Sequence, residues 1–435
     1  MARLQGMADG LKRVAVIGGG WAGMAAAVAL AEKGLPVTVF EAARQLGGRA
    51  RRADIHGLPL DNGPHLLLGA YRKSLGLMAR VHAGPLPLKR TPLRLDVPGH
   101  FRLSLPRLPA PLHLAWGLLT ARGLSWRERL AAARFVGWLR RRRFRLGQDT
   151  SVESLLRDHG QDSGLRRHLW EPLCLAALNT PIALASAQVF LHVLRDSLAA
   201  ERAASDMLLP LTDFSALFPE PAAACVRRQG GEVRLSCPVR HIRRRDSGLV
   251  LATDDGEECF DQVVCAVPPQ RLPALTADLP ELAAIREMVA DFRYQPIYSL
   301  YLQYPEDRCL PAPLIGLDGG PGQWVFDRGR THGQKGLMAV VISGPGRHET
   351  LGPELLLAAV AEELAPLLGR RPPLWGKVVA EKRATFSCEA GVKRPPNATP
   401  LANFYLAGDY TEGDYPATLE GAVRSGLACA ARISA

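Results

Sequence analysis

The chain has 435 residues, of which 47% are hydrophobic and 22% are charged. This composition is typical of a folded globular protein and excludes a disordered tail, a collagen-like repeat and a multi-span membrane protein. The length predicts two or three domains with well-developed cores. The net charge of +12 favours an anionic partner only weakly, and no nucleic-acid-recognition motif accompanies it.

The cysteines are scattered along the chain, and no two of them are spaced as C-x-x-C. Their spacing fits neither a zinc site nor the disulfide framework of a small secreted domain. We therefore expect no metal ion, and we expect buried thiols in a reducing, cytoplasmic compartment. The eight residues are Cys174, Cys225, Cys237, Cys259, Cys265, Cys309, Cys388 and Cys429.

A strand, a glycine-rich turn, a helix and a second strand are predicted near the amino terminus. Residues 13–17 are apolar and rich in β-branched side chains, as in a buried parallel strand. Residues 18–23 read G-G-G-W-A-G and contain the pattern G-x-G-x-x-G. A helix is predicted over 24–33, and residues 36–41 form a second strand that ends in an acid. This order is the context that a dinucleotide-binding fingerprint requires.

The three glycines of this fingerprint have separate physical roles. Gly18 permits a tight turn, Gly20 allows the backbone to approach a pyrophosphate, and Gly23 allows the helix to pack closely on the strand. The start of the helix, with Trp21 and Ala22, offers free N–H groups and a partial positive charge to phosphates. We therefore expect these residues to bind the cofactor.

A second phosphate site is predicted after the second strand. Glu41 is placed to accept hydrogen bonds from both hydroxyl groups of an adenosine ribose. A glycine pair that includes Gly48 then follows, flanked by Arg44 and Arg49, where a plain NAD-binding domain would continue into a helix. Backbone N–H groups combined with a guanidinium are suited to a phosphate.

A similar strand, turn and helix are predicted near the carboxyl terminus. Residues 403–407 form a short apolar strand that runs into Gly408 and Asp409. A helix of small residues is predicted from residue 416 onward, and it includes Leu419 and Ala422. We expect Asp409 to bind ribityl hydroxyl groups, with the helix facing the pyrophosphate or the flavin ring.

Together with Asp61-x-Gly63-Pro64, these motifs resemble those of the flavin-containing amine oxidases and carotenoid desaturases. The shared motifs bracket almost the whole chain. The resemblance implies an α/β fold with a discontinuous, Rossmann-like FAD-binding domain and a mixed α+β substrate domain. It also implies non-covalent FAD, with Gly63 and His65 beside the flavin and the backbone of Val239 against the adenine.

A narrower resemblance lies in the variable part of the chain. Six segments are similar to the hydroxysqualene dehydroxylases of hopanoid synthesis, also called squalene-associated FAD-dependent desaturases: residues 61–71, 170–181, 186–190, 194–198, 208–210 and 217–221. The resemblance implies reductive removal of the hydroxyl group of hydroxysqualene to give squalene, with an electron donor that the sequence does not identify. The alternatives are a carotenoid desaturase, a flavin amine oxidase and a flavoprotein without catalytic activity.

Removing a hydroxyl group requires a proton donor, and four residues are candidates. His65 belongs to the motif expected near the flavin, whereas Tyr410, Asp414 and Tyr415 follow the carboxyl-terminal strand. His65 is the first candidate because of its expected place near the flavin, and the sequence does not decide among the four. The residues around Cys388 do not match the motif for covalent flavin attachment.

The resemblance also predicts how the chain is divided. We expect an FAD-binding domain of residues 1–80, 222–275 and 380–435, and a substrate domain of residues 81–221 and 276–379. The first substrate stretch is predicted to be mainly helical, and the second to consist of strands around a helix near 354–368. The oligomeric state and the choice between Met1 and Met7 as the start are left open.

A basic and aromatic segment, residues 108–145, predicts contact with a membrane surface. Its second half, residues 125–145, carries eight Arg and one Glu, a net charge of +7, and Trp116, Trp126 and Trp138 accompany it. Cations beside aromatic side chains suit an anionic bilayer surface. A peripheral position on the inner face of the cytoplasmic membrane would give access to a triterpenoid. The alternative is a solvated helix face, because the segment shows no single amphipathic stripe.

Overall fold

The structure, a computed structural model, describes residues 12–245 and 248–434, and Met1 and Met7 lie outside the described residues. Twenty strands in these two ranges form six sheets. The strands are β1 (Val14–Ile17), β2 (Val37–Phe40), β3 (Arg52–Ile55), β4 (Leu58–Asp61), β5 (Leu67–Leu68), β6 (Leu88–Thr91), β7 (Arg94–Val97), β8 (Phe101–Ser104), β9 (Met207–Pro210), β10 (Glu232–Arg234), β11 (His241–Arg245), β12 (Gly248–Thr253), β13 (Gly256–Phe260), β14 (Gln262–Cys265), β15 (Tyr294–Gln303), β16 (Leu314–Gly316), β17 (Trp324–Asp327), β18 (Leu337–Ser343), β19 (Trp375–Phe386) and β20 (Phe404–Leu406).

The described ranges also contain fifteen α-helices and two π-helical turns. The helices are α1 (Trp21–Ala31), α2 (Arg72–Val81), α3 (Leu112–Thr120), α4 (Trp126–Arg141), α5 (Val152–Asp158), α6 (Ser163–Leu165), α7 (Glu171–Leu178), α8 (Ala187–Leu194), α9 (Phe214–Leu217), α10 (Pro219–Arg228), α11 (Leu272–Leu275), α12 (Ala283–Ala290), α13 (Arg328–His332), α14 (Pro353–Leu368) and α15 (Leu419–Arg432). The π-helical turns are Arg166–Trp170 and Arg195–Ala199.

A parallel five-stranded sheet, in the order β10-β2-β1-β14-β20, positions the candidate site. Its strands come from distant parts of the chain, and β1 and β14 are apolar and buried, as parallel strands covered on both faces require. The predicted sequence of strand, turn, helix and strand at residues 14–40 is confirmed. The carboxyl ends of these strands meet at one edge, where nucleotides bind in open α/β sheets.

An antiparallel sheet, in the order β16-β17-β18-β15-β19, forms a second layer. Helix α14 covers it through Leu356, Val360 and Leu364, which recur at the spacing of one helix face. The strands and the helix that were predicted for residues 276–379 are therefore confirmed.

The stretch 81–221 contains more strands than predicted. Helices α3 to α8 lie in it, but so do β6, β7, β8 and β9. In the hairpin of β7 and β8, Phe101 and Leu103 are buried whereas Arg102 and Ser104 are exposed. This alternation has the period of a half-buried strand, so the stretch combines these short strands with the mainly helical structure that was predicted for it.

Helices α3 and α4 form a hairpin in the segment that was predicted to contact a membrane. Ser125 and Glu128 form a reciprocal capping box at the start of α4, and Arg129 Nη1 donates to the carbonyl oxygen of Leu119 at the end of α3 (2.7 Å). Among the helices of residues 12–245 and 248–434, none has the length and apolar character needed to cross a bilayer.

Candidate functional site

Two glycine turns lie side by side at the carboxyl edge of the parallel sheet. The backbone N–H of Gly47 donates to the carbonyl oxygen of Gly19 (2.9 Å). Gly48 has φ +62°, and a Cβ atom on it would lie 3.4 Å from the Cα atom of Gly20. Glycines at these positions allow the two backbones to approach and leave the main chain free of side chains on that side.

The start of helix α1 is suited to an anion. Its N-cap residue, Gly20, has no capping side chain, and the first turn contains no acid. The N–H groups at Trp21 and Ala22 therefore lack side-chain acceptors, which is the arrangement that binds a pyrophosphate. A Cβ atom on Gly23 would lie 1.9 Å from the carbonyl oxygen of Gly18, so the helix is pressed against the turn.

Glu41 directly follows β2 and lies beside these turns. One carboxylate oxygen accepts from the N–H of Gly19 (2.6 Å) and the other from the N–H of Ala43 (2.8 Å). The backbone N–H of Cys237 donates to the carbonyl oxygen of Glu41 (2.9 Å), which brings the chain just before Val239 next to this acid. The predicted ribose-binding and adenine-binding positions are therefore neighbours.

Arg49 joins the second glycine turn to the carboxyl-terminal turn. Its guanidinium donates to Asp409 (2.6 Å) and to the carbonyl oxygen of Ala384 at the end of β19 (2.7 Å). Arg49, which is suited to a phosphate, thus lies in contact with Asp409, which is suited to ribityl hydroxyl groups. Arg44, by contrast, takes no part in this ion pair. It is exposed in the loop before the glycine pair.

The loop of Gly63 and His65, which was predicted to lie beside the flavin, follows β4. A Cβ atom on Gly63 would lie 3.1 Å from Ser299 Oγ, so this position is crowded. His65 Nδ1 lies 2.6 Å from the carbonyl oxygen of Gly63, and the ring lies 4.9 Å from that of Phe214. Burial, together with the charge of Arg49, lowers the pKa of His65, so the imidazole is neutral at pH 7. A neutral ring whose Nδ1 donates to Gly63 keeps Nε2 as an acceptor.

Helix α15 begins at Leu419, three residues later than predicted. Thr418 is its N-cap and accepts from the N–H of Gly421 (3.0 Å). Ala422 is buried in the core that contains α1. On another side of the helix, Arg424, Gly408 and Asp409 line a cavity of about 140 Å³. The start of α15 and Asp409 therefore border one space.

Asp414 and Tyr415 lie together in an ionic cluster. Asp414 pairs with Arg195 (3.1 Å), and the hydroxyl group of Tyr415 donates to Asp196. Burial alone would raise the pKa of Asp196, but hydrogen bonds from Arg195 and Tyr415 lower it. Sequence reasoning missed Asp196 as a partner, although it lies in one of the six segments used for the narrower resemblance.

Tyr410 is a buried phenol whose hydroxyl group lacks a hydrogen-bond partner within the described residues. Its ring covers Gly408, where a Cβ atom would lie 2.4 Å from Cε1 of the tyrosine. Burial raises the pKa of Tyr410 well above its ordinary value, so the hydroxyl group keeps its proton. Tyr294, which starts β15, also has a buried hydroxyl oxygen without a partner there.

Residues 21–434 match the family model described as flavin containing amine oxidoreductase. The chain belongs to this family. It is an FAD-dependent oxidoreductase, and the glycine turns, the open start of α1 and Glu41 fit the adenosine and pyrophosphate parts of FAD.

Among its relatives are hydroxysqualene dehydroxylases. The protein of that name from Rhodopseudomonas palustris is 32% identical and that from Sinorhizobium fredii 31%; each match covers 95% of this chain and 96% of the relative. A 15-cis-phytoene desaturase from Synechococcus elongatus is more distant, at 25% identity over 97% of this chain and 96% of its own. Within the family, the chain groups with the hydroxysqualene dehydroxylases.

Several solved structures share the fold of this oxidoreductase. An oxidoreductase from Methanosarcina mazei matches with a TM-score of 0.74 at 17% identity, over 96% of this chain and 99% of that chain. A putrescine oxidase with bound putrescine matches with a TM-score of 0.70 at 18% identity, over 97% and 98%.

Asp61 of the flavin-proximal motif is a buried structural anchor in this oxidoreductase. Its carboxylate accepts from the N–H of Phe214 (2.8 Å) and pairs with Arg328 (3.3 Å), and both partners of the ion pair are 2% exposed. Tyr301 donates to the carbonyl oxygen of Asp61 (2.7 Å). Sequence reasoning missed Arg328 because 267 positions separate it from Asp61.

The cysteines and the other potential metal ligands show no cluster. Among the described residues, no group of three His, Cys, Asp or Glu side chains could hold a metal ion. Six of the eight thiols are buried, whereas Cys259 and Cys309 are exposed, contrary to the expectation of buried thiols throughout. Burial raises the pKa of Cys388 to about 12, so its thiol stays protonated.

Proposed function

We propose that this oxidoreductase removes the hydroxyl group of hydroxysqualene reductively and so forms squalene. The observation that carries the proposal is the 31–32% identity to hydroxysqualene dehydroxylases over 95% of the chain. The glycine turns between Gly18 and Gly48 support it, because the reaction needs a bound redox cofactor.

The reaction replaces one C–O bond with a C–H bond. When bound and reduced, FAD supplies the hydride and thus both electrons. The hydroxyl oxygen takes up a proton and leaves as water, so the protein has to provide a proton donor and a site that excludes bulk water. The turns at Gly20 and Gly48, the acid Glu41 and the Arg49–Asp409 pair would hold the cofactor for this chemistry.

The other predicted cofactor positions take roles in the same proposal. Trp21, Ala22, Leu419 and Ala422 would provide the two helix starts, Val239 the adenine wall, and Gly63 and His65 the flavin-proximal loop. Arg44 is exposed, so it would contact a phosphate from the solvent side of its loop. The proposed FAD domain remains residues 1–80, 222–275 and 380–435, with 81–221 and 276–379 as the substrate domain.

The function is tested by a single anaerobic turnover. The purified protein is loaded with FAD and reduced with dithionite, and hydroxysqualene is added in detergent. We expect the flavin absorbance near 450 nm to return as one equivalent of squalene forms. A flavin that stays reduced contradicts the proposal. Formation of coloured, dehydrogenated products from phytoene in the presence of an oxidant would favour the carotenoid desaturase.

Among the four candidate proton donors, we propose Tyr410 first. His65 is neutral, with Nδ1 directed to Gly63, and Asp414 is an exposed carboxylate paired with Arg195. The Tyr415 proton is engaged by Asp196. Tyr410 has a protonated hydroxyl group without a partner among the described residues, an arrangement that costs about 1–3 kcal/mol and is therefore expected to be retained for function.

Tyr410→Phe is expected to lower the rate of flavin reoxidation by hydroxysqualene about 100-fold or more, the range of a lost general acid. Flavin binding, measured by absorbance, should be retained. Tyr415→Phe is the matched control, because it removes a hydroxyl group that already has a partner. If Tyr410→Phe raises the unfolding temperature without slowing the reaction, its hydroxyl group has no catalytic role.

We also propose that the α3–α4 hairpin rests on a membrane surface. Six of the exposed large apolar side chains of the described chain lie in 23 consecutive residues: Leu108, Leu112, Trp116, Leu119, Trp126 and Leu130. Phe135 and Leu139 point inward, whereas Trp126 and Leu130 point outward, so α4 has two apolar faces and no single stripe. Trp138 is not part of the outer face, because its ring packs at a tilt against that of His159 (centroids 4.0 Å apart).

Binding to lipid vesicles tests this surface. We expect the protein to float with vesicles of phosphatidylglycerol and phosphatidylcholine, and to be released as salt screens the arginines. Trp116→Ala with Trp126→Ala should weaken binding about tenfold or more, because two large apolar side chains lose their burial in lipid. The control is Leu355→Ala with Leu374→Ala, which removes equally exposed apolar groups elsewhere. Equal losses in both variants would contradict the proposed surface.

A further inference from the structure

The hydroxyl group of Tyr294 lies inside the protein without a hydrogen-bond partner. Tyr294 begins β15, and its hydroxyl oxygen is buried and bonds to nothing within residues 12–245 and 248–434. A buried hydroxyl group that is left unpaired costs stability, and the great majority of buried polar side-chain atoms in native proteins have a partner. The Tyr294 hydroxyl group therefore calls for a partner from outside the chain.

The phenol lies within electrostatic reach of the Arg49–Asp409 pair. Burial raises the pKa of Tyr294, and the charges of Arg383 and Arg49 offset this rise only in part. Asp409 adds to the rise, so the hydroxyl group keeps its proton and is a hydrogen-bond donor at pH 7. A neutral donor thus lies near a guanidinium suited to a phosphate and a carboxylate suited to ribityl hydroxyl groups.

The pairing of β15 with β19 holds Tyr294 at this place. Tyr294 is the register partner of Phe386, two positions beyond Ala384, whose carbonyl oxygen accepts from Arg49 (2.7 Å). The guanidinium carbon of Arg383 lies 5.6 Å from the centre of the Tyr294 ring. The strand that binds Arg49 therefore also positions the phenol.

The register of these two strands is irregular just after Tyr294. It shifts between Gln295 and Ile297, and the side chain of Gln295 donates to Ser387 Oγ (2.8 Å). Irregularities of this kind re-aim a side chain and are frequent next to active sites. The direction of the phenol is therefore set locally and not by the regular ladder of the sheet.

We infer that Tyr294 is a further cofactor-binding residue, whose hydroxyl group donates a hydrogen bond to the FMN half of FAD, that is, to its phosphate or ribityl oxygens. The inference rests on the proposed roles of Arg49 and Asp409, because these two residues place the FMN half beside Tyr294. Phosphate and ribityl oxygens accept hydrogen bonds, and a protonated phenol held by β15 loses little freedom in donating one.

The test measures FAD affinity with the full chain and without substrate. FAD-loaded protein is dialysed against decreasing FAD concentrations, and the flavin absorbance that remains gives the affinity. We expect Tyr294→Phe to weaken FAD binding about tenfold, the effect of one lost hydrogen bond. The affinity for AMP, measured by its displacement of FAD, should stay unchanged, because AMP carries only the adenosine half. The variant keeps the ring and removes an oxygen without a partner in the described chain, so folding is retained.

Tyr304→Phe is the matched control. It removes another buried hydroxyl group without a partner among the described residues, in the core between the antiparallel sheet and α14, and should leave FAD affinity unchanged. Equal FAD affinity in the two variants would overturn the inference. Equal losses of AMP and FAD affinity in Tyr294→Phe would also overturn it, because the whole site would then be disturbed.

Asp409→Ala separates the inference from the proposals on which it rests. If Asp409→Ala weakens FAD binding and Tyr294→Phe does not, only the inference fails. If Asp409→Ala leaves FAD binding unchanged while Tyr294→Phe weakens it, the proposed role of Asp409 fails and Tyr294 remains a cofactor-binding residue. A protein that binds FAD through Tyr294 but does not convert hydroxysqualene would refute the proposed function alone.

Discussion

Gly23→Ala is expected to weaken FAD binding by this oxidoreductase severely. The new Cβ atom would lie 1.9 Å from the carbonyl oxygen of Gly18 and 3.2 Å from the Cβ atom of Ala266. Neither neighbour is a flexible side chain, so helix α1 has to move away from the sheet. Overpacking of this kind costs about 3 kcal/mol or more. Because the displaced helix start also carries the pyrophosphate N–H groups, we expect the affinity for FAD to fall about 100-fold or more.

The measurement is the flavin absorbance of the purified protein, followed by titration of the apoprotein with FAD. Gly76→Ala is the matched control, because Gly76 also lies within a helix, α2, and a Cβ atom there has no neighbour within 4 Å. Alanine at that position should leave FAD binding unchanged and raise stability by about 0.5–1 kcal/mol. Normal FAD binding by Gly23→Ala would show that α1 and the turn are less tightly packed than the structure indicates.

The nucleotide-binding part of the fold could be predicted from sequence because its determinants are local. The order of strand, turn, helix and acid between residues 14 and 41 follows from the backbone geometry of this unit. Each glycine is required by a steric contact that the turn itself creates. The adjacency of Gly20 and Gly48 is also local, since only helix α1, strand β2 and a turn separate them. The carboxyl-terminal turn at Asp409 could be placed only because its motif resembled that of a known family.

Contacts between distant segments could not be predicted in the same way. The bond between Tyr415 and Asp196 joins positions 219 residues apart, and neither residue type signals the other. The strands β7 and β8 were missed for a different reason: a strand of four residues gives too short a pattern to outweigh the surrounding helical stretches. The sequence pattern did not reveal the outward apolar face of α4. Inward and outward apolar residues lie on the same helix, so they form no single stripe.

Arg328→Met is expected to destabilise the protein by about 3–5 kcal/mol, because it leaves the buried carboxylate of Asp61 without its counter-charge. Burial already raises the pKa of Asp61 to about 6 in the presence of Arg328. Without the guanidinium this pKa rises further, so the folded state binds a proton more tightly than the unfolded chain. Stability then falls as the pH rises. The destabilisation should therefore be larger at pH 8 than at pH 5, as measured by urea unfolding at both values.

A double-mutant cycle separates the lost charge pair from lost packing. Asp61→Asn keeps an oxygen acceptor for the N–H of Phe214 and removes the negative charge. Asp61→Asn combined with Arg328→Met should recover about 2 kcal/mol of the stability that Arg328→Met loses. The pH dependence of stability that Asp61 causes should disappear, since neither partner of the buried pair is charged any longer. The control for replacing Arg with Met is Arg243→Met, which breaks an exposed ion pair with Glu257 and should cost less than about 1 kcal/mol. If the double variant is no more stable than Arg328→Met alone, Arg328 stabilises this loop through packing on Tyr301 and its bond to Gln334, not through the charge of Asp61.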